Sequence, residues 1–299
     1  MTPASYTIEQ EWRRAARRLA DAGVGEPEAN AERLLLHVLG VTKAELLRDF
    51  REPFPGARRE AWEAALRRKE RGEPVQYIVG EQHFCGRAFR VTPAVLIPRP
   101  ETELLAEAVL AALPADEPMV VADVGTGSGA LAVTLAAERP EWRVVATDLS
   151  EEALAVAREN AARHGVAERI RFVRGDLLEP FLAGAPEDVP DAVVSNPPYI
   201  PTAELPLLQR EVADFEPRLA LDGGADGLDA YRRMAAQLAA LPVRPRLVAF
   251  ETGAGQAEAV AGLLGNAGDW AAIRLVRDYA GIDRHVLAFG RTPGGRSSG

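Results

Sequence analysis

The spacing of hydrophobic residues changes along the chain, and each change marks a different kind of structure. In the N-terminal quarter, apolar side chains recur every three or four positions, which is the spacing of amphipathic helices. The first such stripe contains Ile8, Trp12, Ala15, Ala16 and Leu19. Thr42 and Glu45 fit a capping box ahead of a further stripe. We therefore predict a helical bundle over residues 1–73, and such a module is a candidate for recognising a macromolecular partner.

Residues 74–97 have another pattern, rich in side chains that favour strands. These residues are Val75, Tyr77, Ile78, Val79, Phe84, Phe89, Val91, Val95, Leu96 and Ile97. Because Gly80 and Gly86 interrupt them, we predict a β-hairpin that links the bundle to the rest of the chain. Pro100, followed by the acidic Glu101 and Glu103, has the composition of a helix start.

From residue 98 to residue 290, short apolar runs alternate with helical stripes. The predicted strands are 119–124, 143–148, 170–175, 191–195, 246–251, 272–277 and 284–289. The predicted helices are 101–112, 129–138, 151–163, 228–240 and 256–265. This alternation indicates an α/β domain with a doubly wound sheet. The last two strands lack a helix between them and should form an antiparallel hairpin. The Gly/Ser/Pro-rich residues 291–299 are predicted to be a disordered tail.

The composition restricts the class of protein. A chain of 299 residues with 47% hydrophobic and 26% charged residues is typical of a soluble globular protein. No signal sequence is evident, and no apolar run approaches the roughly 18 residues that a membrane span needs. The one cysteine, Cys85, excludes an internal disulfide and favours a reducing, cytoplasmic location. The four histidines show no metal-ligand spacing, so no metal site is predicted.

The net charge of −9 is distributed unevenly. Residues 1–95 carry 16 Lys and Arg against 14 Asp and Glu, whereas the remaining residues carry 19 against 30. Extended contact with a phosphate backbone needs a basic surface. The acidic main domain therefore argues against extended nucleic-acid binding.

The most distinctive stretch is Ser195-Asn196-Pro197-Pro198-Tyr199-Ile200, which closes an apolar run. Two consecutive prolines cannot continue a strand, so Asn196 is expected at a strand's carboxyl end, where open parallel sheets bind ligands. Pro197 and Pro198 offer carbonyl groups but no N–H groups, and Tyr199 adds a flat ring. This set suits a planar amino group bonded to an sp2 carbon, although the stretch alone also fits a plain turn.

A glycine-rich turn and three acidic residues at strand ends indicate the cofactor. The turn Gly125-Thr126-Gly127-Ser128-Gly129 follows a predicted strand and differs from the G-x-G-x-x-G spacing of nicotinamide-binding turns. Asp123, just before it, either caps the turn or receives a cationic ligand. Asp148 suits both hydroxyls of a ribose, and Asp176 suits an adenine amino group. A nucleoside with a positive charge and no phosphate is S-adenosylmethionine, which we predict as the cofactor.

Several motifs together resemble those of the bacterial release factor glutamine methyltransferases. They are Pro74-Val75-Gln76-Tyr77-Ile78-Val79-Gly80, Phe84-x-Gly86-x-x-Phe89, Val95 to Glu103, Asp123 to Gly129, Asn196 to Ile200, and Gly281-Ile282-Asp283-Arg284. The Asn-Pro-Pro-Tyr motif alone is shared with enzymes that methylate amino groups of adenine and guanine. The stretch Pro98–Glu103, together with the preceding hairpin, is much more specific.

The resemblance implies a seven-stranded, Rossmann-like, class I S-adenosylmethionine-dependent methyltransferase domain over residues 98–290. It implies methylation of the side-chain amide nitrogen (N5) of the glutamine in the Gly-Gly-Gln loop of peptide chain release factors, in support of translation termination. Cofactor contacts carry over onto Gly125–Gly129, Asp148 and Asn196, and substrate contacts onto Asn196–Tyr199. Members often have an aromatic residue beside the adenine where this chain has Leu177. An apolar side chain can still pack on adenine, so we expect at most weaker cofactor binding.

For the chemistry, we expect the Asn196 side-chain oxygen and the Pro197 carbonyl each to accept one N–H of the acceptor amide. Tyr199 should pack against that amide, and no general base is required because the proton can leave after transfer. Two alternatives stay open. One is a nucleic-acid methyltransferase acting on adenine or guanine amino groups, and the other is a cofactor-binding scaffold without catalysis.

Overall fold

The computed structural model describes residues 6–182 and 189–291, which divide into two units. The first unit contains the residues up to Glu81 together with Gln209–Phe215, and the second contains Gln82–Leu208 and the chain from Glu216 onward. The helices are α1 (Ile8–Asp21), α2 (Pro27–Leu39), α3 (Lys43–Arg48), α4 (Arg59–Glu70), α5 (Val75–Val79), α6 (Pro100–Ala112), α7 (Ala130–Glu138), α8 (Glu151–Arg163), α9 (Glu179–Leu182), α10 (Arg210–Ala213), α11 (Asp229–Ala240) and α12 (Ala257–Ala267). The strands are β1 (Glu81–Phe84), β2 (Arg87–Arg90), β3 (Met119–Val124), β4 (Trp142–Asp148), β5 (Ile170–Arg174), β6 (Ala192–Ser195), β7 (Leu247–Glu251), β8 (Trp270–Arg277) and β9 (Asp283–Gly290).

The first unit is a helical bundle, as the spacing of its apolar residues predicts. Leu19, Leu34 and Trp62, from α1, α2 and α4, are fully buried in one core. Burying each such side chain stabilises the fold by about 1.5–3 kcal/mol relative to leaving it exposed. The predicted capping box at the start of α3 is confirmed, because Thr42 and Glu45 each bond the other's backbone N–H.

The predicted hairpin exists but is shorter than residues 74–97, and the strand expected over Val75–Val79 is wrong. These residues form helix α5 instead. Val75 and Ile78, three positions apart, are buried in the core of the helical bundle, and Gly80 ends the helix in a left-handed conformation. Tertiary packing thus outweighs the strand preference of these side chains. Only β1 and β2 form the hairpin.

The second unit is built on a seven-stranded sheet with the order β5-β4-β3-β6-β7-β9-β8. The first five strands in that order run parallel, and β9 pairs antiparallel with both β7 and β8. All seven predicted strands are found within about two residues of their expected bounds. The expected antiparallel hairpin at the end of the chain is confirmed.

Apolar cores cover both faces of this sheet. Along β6, Val194 belongs to the core that includes α6 and α7, whereas Val193 belongs to the core that includes α11 and α12. A parallel strand that is buried on both faces has apolar residues at nearly every position, so it can be recognised in the sequence as a continuous apolar run. This doubly wound arrangement places the carboxyl ends of β3, β4 and β6 along one edge.

Two further predictions concern the C-terminal tail and membrane-spanning helices. The predicted disordered tail, residues 291–299, lies outside them apart from Arg291. Within the described part of the chain, no helix has both the length and the apolar character that crossing a bilayer requires.

Candidate functional site

A cavity of about 820 Å³ lies at the carboxyl edge of the parallel strands in the second unit. Most of the residues singled out in the sequence line it. They are Asp123, Gly125, Thr126, Gly127, Ser128, Asp148, Asp176, Leu177, Asn196 and Pro198. This location matches the rule that open parallel sheets bind ligands beyond the carboxyl ends of their strands.

The glycine-rich turn connects β3 to α7 with a backbone that only glycine adopts readily. Gly125, Gly127 and Gly129 have φ angles of 71°, 54° and 80°. The N–H groups of Gly125 and Thr126 both donate to the Thr147 carbonyl at 2.9 Å, which ties the turn to β4. Gly129 does not line the cavity; a Cβ there would come within 3.1 Å of Ala157 Cβ, so its role is close packing against α8.

Asp123 caps the turn and lines the cavity as well. Its Oδ2 accepts hydrogen bonds from the Thr126 hydroxyl at 2.6 Å and from the Ala132 N–H at 3.0 Å. Its Oδ1 is buried and has no hydrogen-bond partner among the residues that the structure describes. Burial raises the pKa of Asp123 to about 6, against the lowering effect of its two hydrogen bonds.

Asp148 ends β4 and joins two loops of the site. Its Oδ2 accepts from the Gly127 N–H at 2.9 Å, and its Oδ1 accepts from the Ser150 N–H at 2.9 Å. Burial raises the pKa of Asp148, and the backbone hydrogen bonds oppose that rise. A carboxylate oxygen can accept more than one hydrogen bond, so both oxygens of Asp148 can still accept from ligand hydroxyls.

The loop after β5 holds Asp176 and Leu177 in a fixed, strained conformation. Leu177 has a φ of 56°, which is uncommon for a residue with a branched side chain. The Gln237 side chain secures the loop by accepting from the Leu178 N–H at 2.9 Å and donating to the Asp176 carbonyl at 3.3 Å. Asp176 Oδ2 pairs with Arg233, while its Oδ1 is buried and has no hydrogen-bond partner within residues 6–182 and 189–291.

The Asn196–Tyr199 turn places only some of its residues at the cavity. Asn196 and Pro198 line the cavity, whereas Pro197 is buried. Tyr199 is partly buried and packs against the apolar core that includes α11 and α12. The Tyr199 carbonyl accepts from Gln256 Nε2 at 2.9 Å. Burial raises the pKa of the Tyr199 phenol to about 12, so it is neutral at physiological pH.

Two residues near Asn196 were missed as site residues. Asn196 Nδ2 donates to the Thr102 hydroxyl at 3.0 Å, and that hydroxyl donates to Glu251 Oε2 at 2.6 Å. Burial raises the pKa of Glu251 to about 7. Glu251 ends β7 just as Asp148 ends β4, so the search for strand-end acids would have found it. Thr102 belongs to the family motif Pro98–Glu103, but the sequence assigned it no contact at the site.

An ion pair with one buried partner fixes part of the cavity wall. Arg99, which lines the cavity, pairs with the buried carboxylate of Glu216. Glu216 Oε2 also accepts from the Ile97 N–H at 3.3 Å. Within the described ranges, no cluster of His, Cys, Asp and Glu side chains has the arrangement of a metal site.

Comparison with known proteins identifies the family. Residues 10–80 match the family model described as PrmC N-terminal domain, and residues 101–223 match that described as Methyltransferase small domain. The release factor glutamine methyltransferase of Moorella thermoacetica is 46% identical over 286 residues, which cover 95% of this chain and 99% of the relative. The chain belongs to the release factor glutamine methyltransferase family. Its counterpart in Cereibacter sphaeroides is 48% identical over 279 residues, covering 92% of this chain and 96% of the relative.

Membership of this family confirms the resemblance inferred from the motifs. The catalytic domain of hMettl16, solved in complex with a MAT2A 3'UTR hairpin, superposes with a TM-score of 0.53 at 16% identity. The match covers 68% of this chain and 74% of that chain, and at such low identity it shows the fold alone. The predicted seven-stranded methyltransferase fold, preceded by helices and a two-stranded hairpin, is therefore confirmed.

Proposed function

We propose that this protein methylates the side-chain amide nitrogen of the glutamine in the Gly-Gly-Gln loop of peptide chain release factors, with S-adenosylmethionine as the methyl donor. Family membership supports the reaction class. The observation that carries the proposal is the orientation of Asn196 at the cavity, because that orientation leaves a hydrogen-bond acceptor for an incoming amide.

The cavity residues fit the proposed cofactor. Gly125 and Gly127 lack side chains where the turn borders the cavity, so a ligand can approach their backbone closely. Asp123 and Asp176 each have a buried carboxylate oxygen that no group in the described part of the chain hydrogen-bonds, and both residues line the cavity. Such unsatisfied acceptors suit a ligand rich in hydroxyl, amino and ammonium donors.

Each predicted cofactor residue has a role that follows from this environment. Asp148 would hold the ribose hydroxyls, and Asp176 would accept from the adenine amino group. Leu177 would pack its apolar side chain against the adenine. When bound, S-adenosylmethionine supplies an activated methyl group attached to a positively charged sulfur.

Asn196 would orient the acceptor amide. Its Nδ2 is engaged with Thr102, and no hydrogen bond to its Oδ1 is found among residues 6–182 and 189–291. The free Oδ1 can therefore accept an N–H of the glutamine amide, and we propose that the Pro197 carbonyl accepts the second. Two acceptors would fix the nitrogen and favour the positive charge that develops on it during methylation.

Tyr199 does not line the cavity in this structure, and its contact with the acceptor amide remains a prediction. Its raised pKa, about 12, makes it unsuited to act as a base at neutral pH. An amide nitrogen that gains a methyl group becomes acidic enough to lose its proton to water. The proposed reaction therefore needs positioning rather than a dedicated general base.

A competition experiment tests this function against its alternatives. The protein is incubated with radiolabelled S-adenosylmethionine, purified release factor, and total RNA and DNA. We expect label in the release factor only, and no label in a release factor whose motif glutamine is replaced by alanine. Label only in nucleic acid would establish an amino methyltransferase of nucleic acids, and cofactor binding without any transfer would establish a scaffold.

The Asn196→Ala variant tests the proposed role of the site. We expect it to fold and to bind S-adenosylmethionine, because its backbone and the carboxylates around the cavity are unchanged. Methyl transfer should fall by at least ~10²-fold, the scale on which loss of one hydrogen bond to a developing charge acts. Turnover close to that of the wild type would contradict the proposed role of Asn196.

A further inference from the structure

A chain of three side chains from three separate elements ends at the cavity. Glu251 lies at the end of β7, Thr102 in the first turn of α6, and Asn196 just after β6. The Thr102 hydroxyl lies 2.6 Å from Glu251 Oε2 and 3.0 Å from Asn196 Nδ2. Glu251 and Thr102 are only 2% and 5% exposed, so the hydrogen bond between them is shielded from water.

We propose that Thr102 and Glu251 are positioning residues that fix which end of the Asn196 amide faces the acceptor glutamine. The inference rests on the proposed function, since it concerns the acceptor contact of that same site. The amide oxygen and nitrogen of asparagine are nearly equal in size, so packing alone does not select one orientation. Hydrogen-bond direction has to select it.

The carboxylate of Glu251 sets that direction. An ionised carboxylate only accepts hydrogen bonds, so the Thr102 hydroxyl must donate its one proton to Glu251. The hydroxyl oxygen is then left as an acceptor for Asn196 Nδ2. As a result Asn196 Oδ1, the acceptor that the substrate amide needs, is directed away from Thr102.

Protonation of Glu251 removes this selection. A protonated Glu251 can donate to the Thr102 oxygen, and the hydroxyl can then donate to Asn196 Oδ1. Asn196 Nδ2 would face the substrate in that arrangement, and an amino group cannot accept an N–H. Methylation should therefore be slower when Glu251 is protonated than when it is a carboxylate.

The surroundings of Glu251 place its titration in a physiological range. Burial has the largest effect and raises its pKa to about 7. Hydrogen bonds from Thr102 and from the Asn196 side chain and the charge of Arg284 lower it, and Glu101 raises it. The other titratable groups nearby are Tyr199, Tyr231 and His285. Both phenols have raised pKa values and are neutral at pH 7. The pKa of the His285 imidazole, paired in register with Glu251, is lowered by burial.

Four variants separate positioning from a merely structural role. Thr102→Ser keeps the hydroxyl, and Thr102→Val removes it with little change in shape. Glu251→Gln keeps the shape of the side chain. It no longer forces the Thr102 hydroxyl to donate, since an amide both donates and accepts hydrogen bonds. Thr134→Val is the matched control, because it removes a buried threonine hydroxyl on α7 outside this chain of hydrogen bonds.

The experiment measures kcat and KM for a release factor from about pH 5.5 to about pH 9, a range in which the acceptor amide does not titrate. We expect wild-type kcat/KM to fall roughly tenfold as the pH drops through 7, the scale of one oriented hydrogen bond. Thr102→Val should lose roughly tenfold in kcat/KM, whereas Thr102→Ser and Thr134→Val should stay within about threefold. Glu251→Gln should lose the fall near pH 7 and keep only a dependence nearer pH 6, where Asp123 titrates.

A binding measurement accompanies the kinetics. Affinity for a Gly-Gly-Gln peptide, measured with S-adenosylhomocysteine present, should follow the same order of variants, and affinity for S-adenosylhomocysteine alone should not change. A flat wild-type profile, or a fall near pH 7 that is the same in Glu251→Gln as in the wild type, would overturn the proposal even if Thr102→Val failed to fold. If the wild type methylates no release factor at any pH, the proposed function itself fails instead.

Discussion

The Asn196–Ile200 turn is braced by a loop that requires glycine at position 227, and this gives a sharp prediction. Gly227 has a φ of 79°. A Cβ placed on it would lie well inside 3.0 Å of both the Tyr199 carbonyl oxygen and Gln256 Nε2. These two atoms form a hydrogen bond of 2.9 Å. A methyl group at Gly227 would therefore push into the contact that holds the turn.

Gly255 provides a matched control for the Gly227→Ala variant. Its φ of 80° is nearly the same, but a Cβ there would meet no atom within 4 Å. Both variants place alanine in the left-handed region, at about 1–2 kcal/mol each. Only Gly227→Ala adds overpacking of about 1–3 kcal/mol and the loss of a hydrogen bond worth about 1 kcal/mol. The difference between the variants should be roughly 2–4 kcal/mol.

Urea unfolding and steady-state kinetics measure the two consequences separately. We expect Gly255→Ala to lower the free energy of unfolding slightly and to leave kcat near the wild-type value. Gly227→Ala should lower both, with kcat reduced at least ~10-fold, because displacement of the turn moves Asn196 away from its productive position. Equal stability and equal kcat for the two variants would refute the bracing role assigned to this loop.

Two further predictions concern the cofactor residues. Leu177→Phe should bind S-adenosylhomocysteine several-fold more tightly, as measured by calorimetry, because an aromatic ring stacks on adenine. The strain of the left-handed backbone is the same for both side chains. Unchanged or weaker binding would show that Leu177 does not face the adenine. Asp148→Asn should weaken the same binding roughly 10- to 100-fold, because hydrogen bonds to a charged group are lost, with the Gly127 contact also disturbed. Retained affinity in Asp148→Asn would contradict the ribose assignment.

The main domain could be predicted from the sequence because its strands are buried on both faces. Such strands appear as uninterrupted apolar runs, and the prolines after Asn196 mark the point where one of them must end. The helical stretch at Val75–Val79 could not be predicted in this way. Its residues prefer strands, and only their burial in the core of the helical bundle favours a helix.

Site residues could be predicted where each carries a signal of its own in the sequence, such as a glycine-rich turn, an acid at a strand end or the Asn-Pro-Pro-Tyr motif. Glu251 and Thr102 are 149 positions apart, and only the folded structure shows that they share a hydrogen bond. Thr102 reads as an ordinary first-turn residue of a helix, and Glu251 gains importance only through that partner. Tyr199 illustrates the opposite case, because its motif points to the acceptor amide while its ring packs against an apolar core.

Mass spectrometry of the release factor peptide that contains Gly-Gly-Gln tests the central claim most directly. The peptide is isolated after incubation with S-adenosylmethionine and either the wild-type protein or Asn196→Ala. We predict that the wild type adds the mass of one methylene group, located by fragmentation on the glutamine side chain, and that the variant leaves the peptide almost unmodified. An unmodified peptide after treatment with wild-type protein that is folded and binds S-adenosylmethionine would contradict the account.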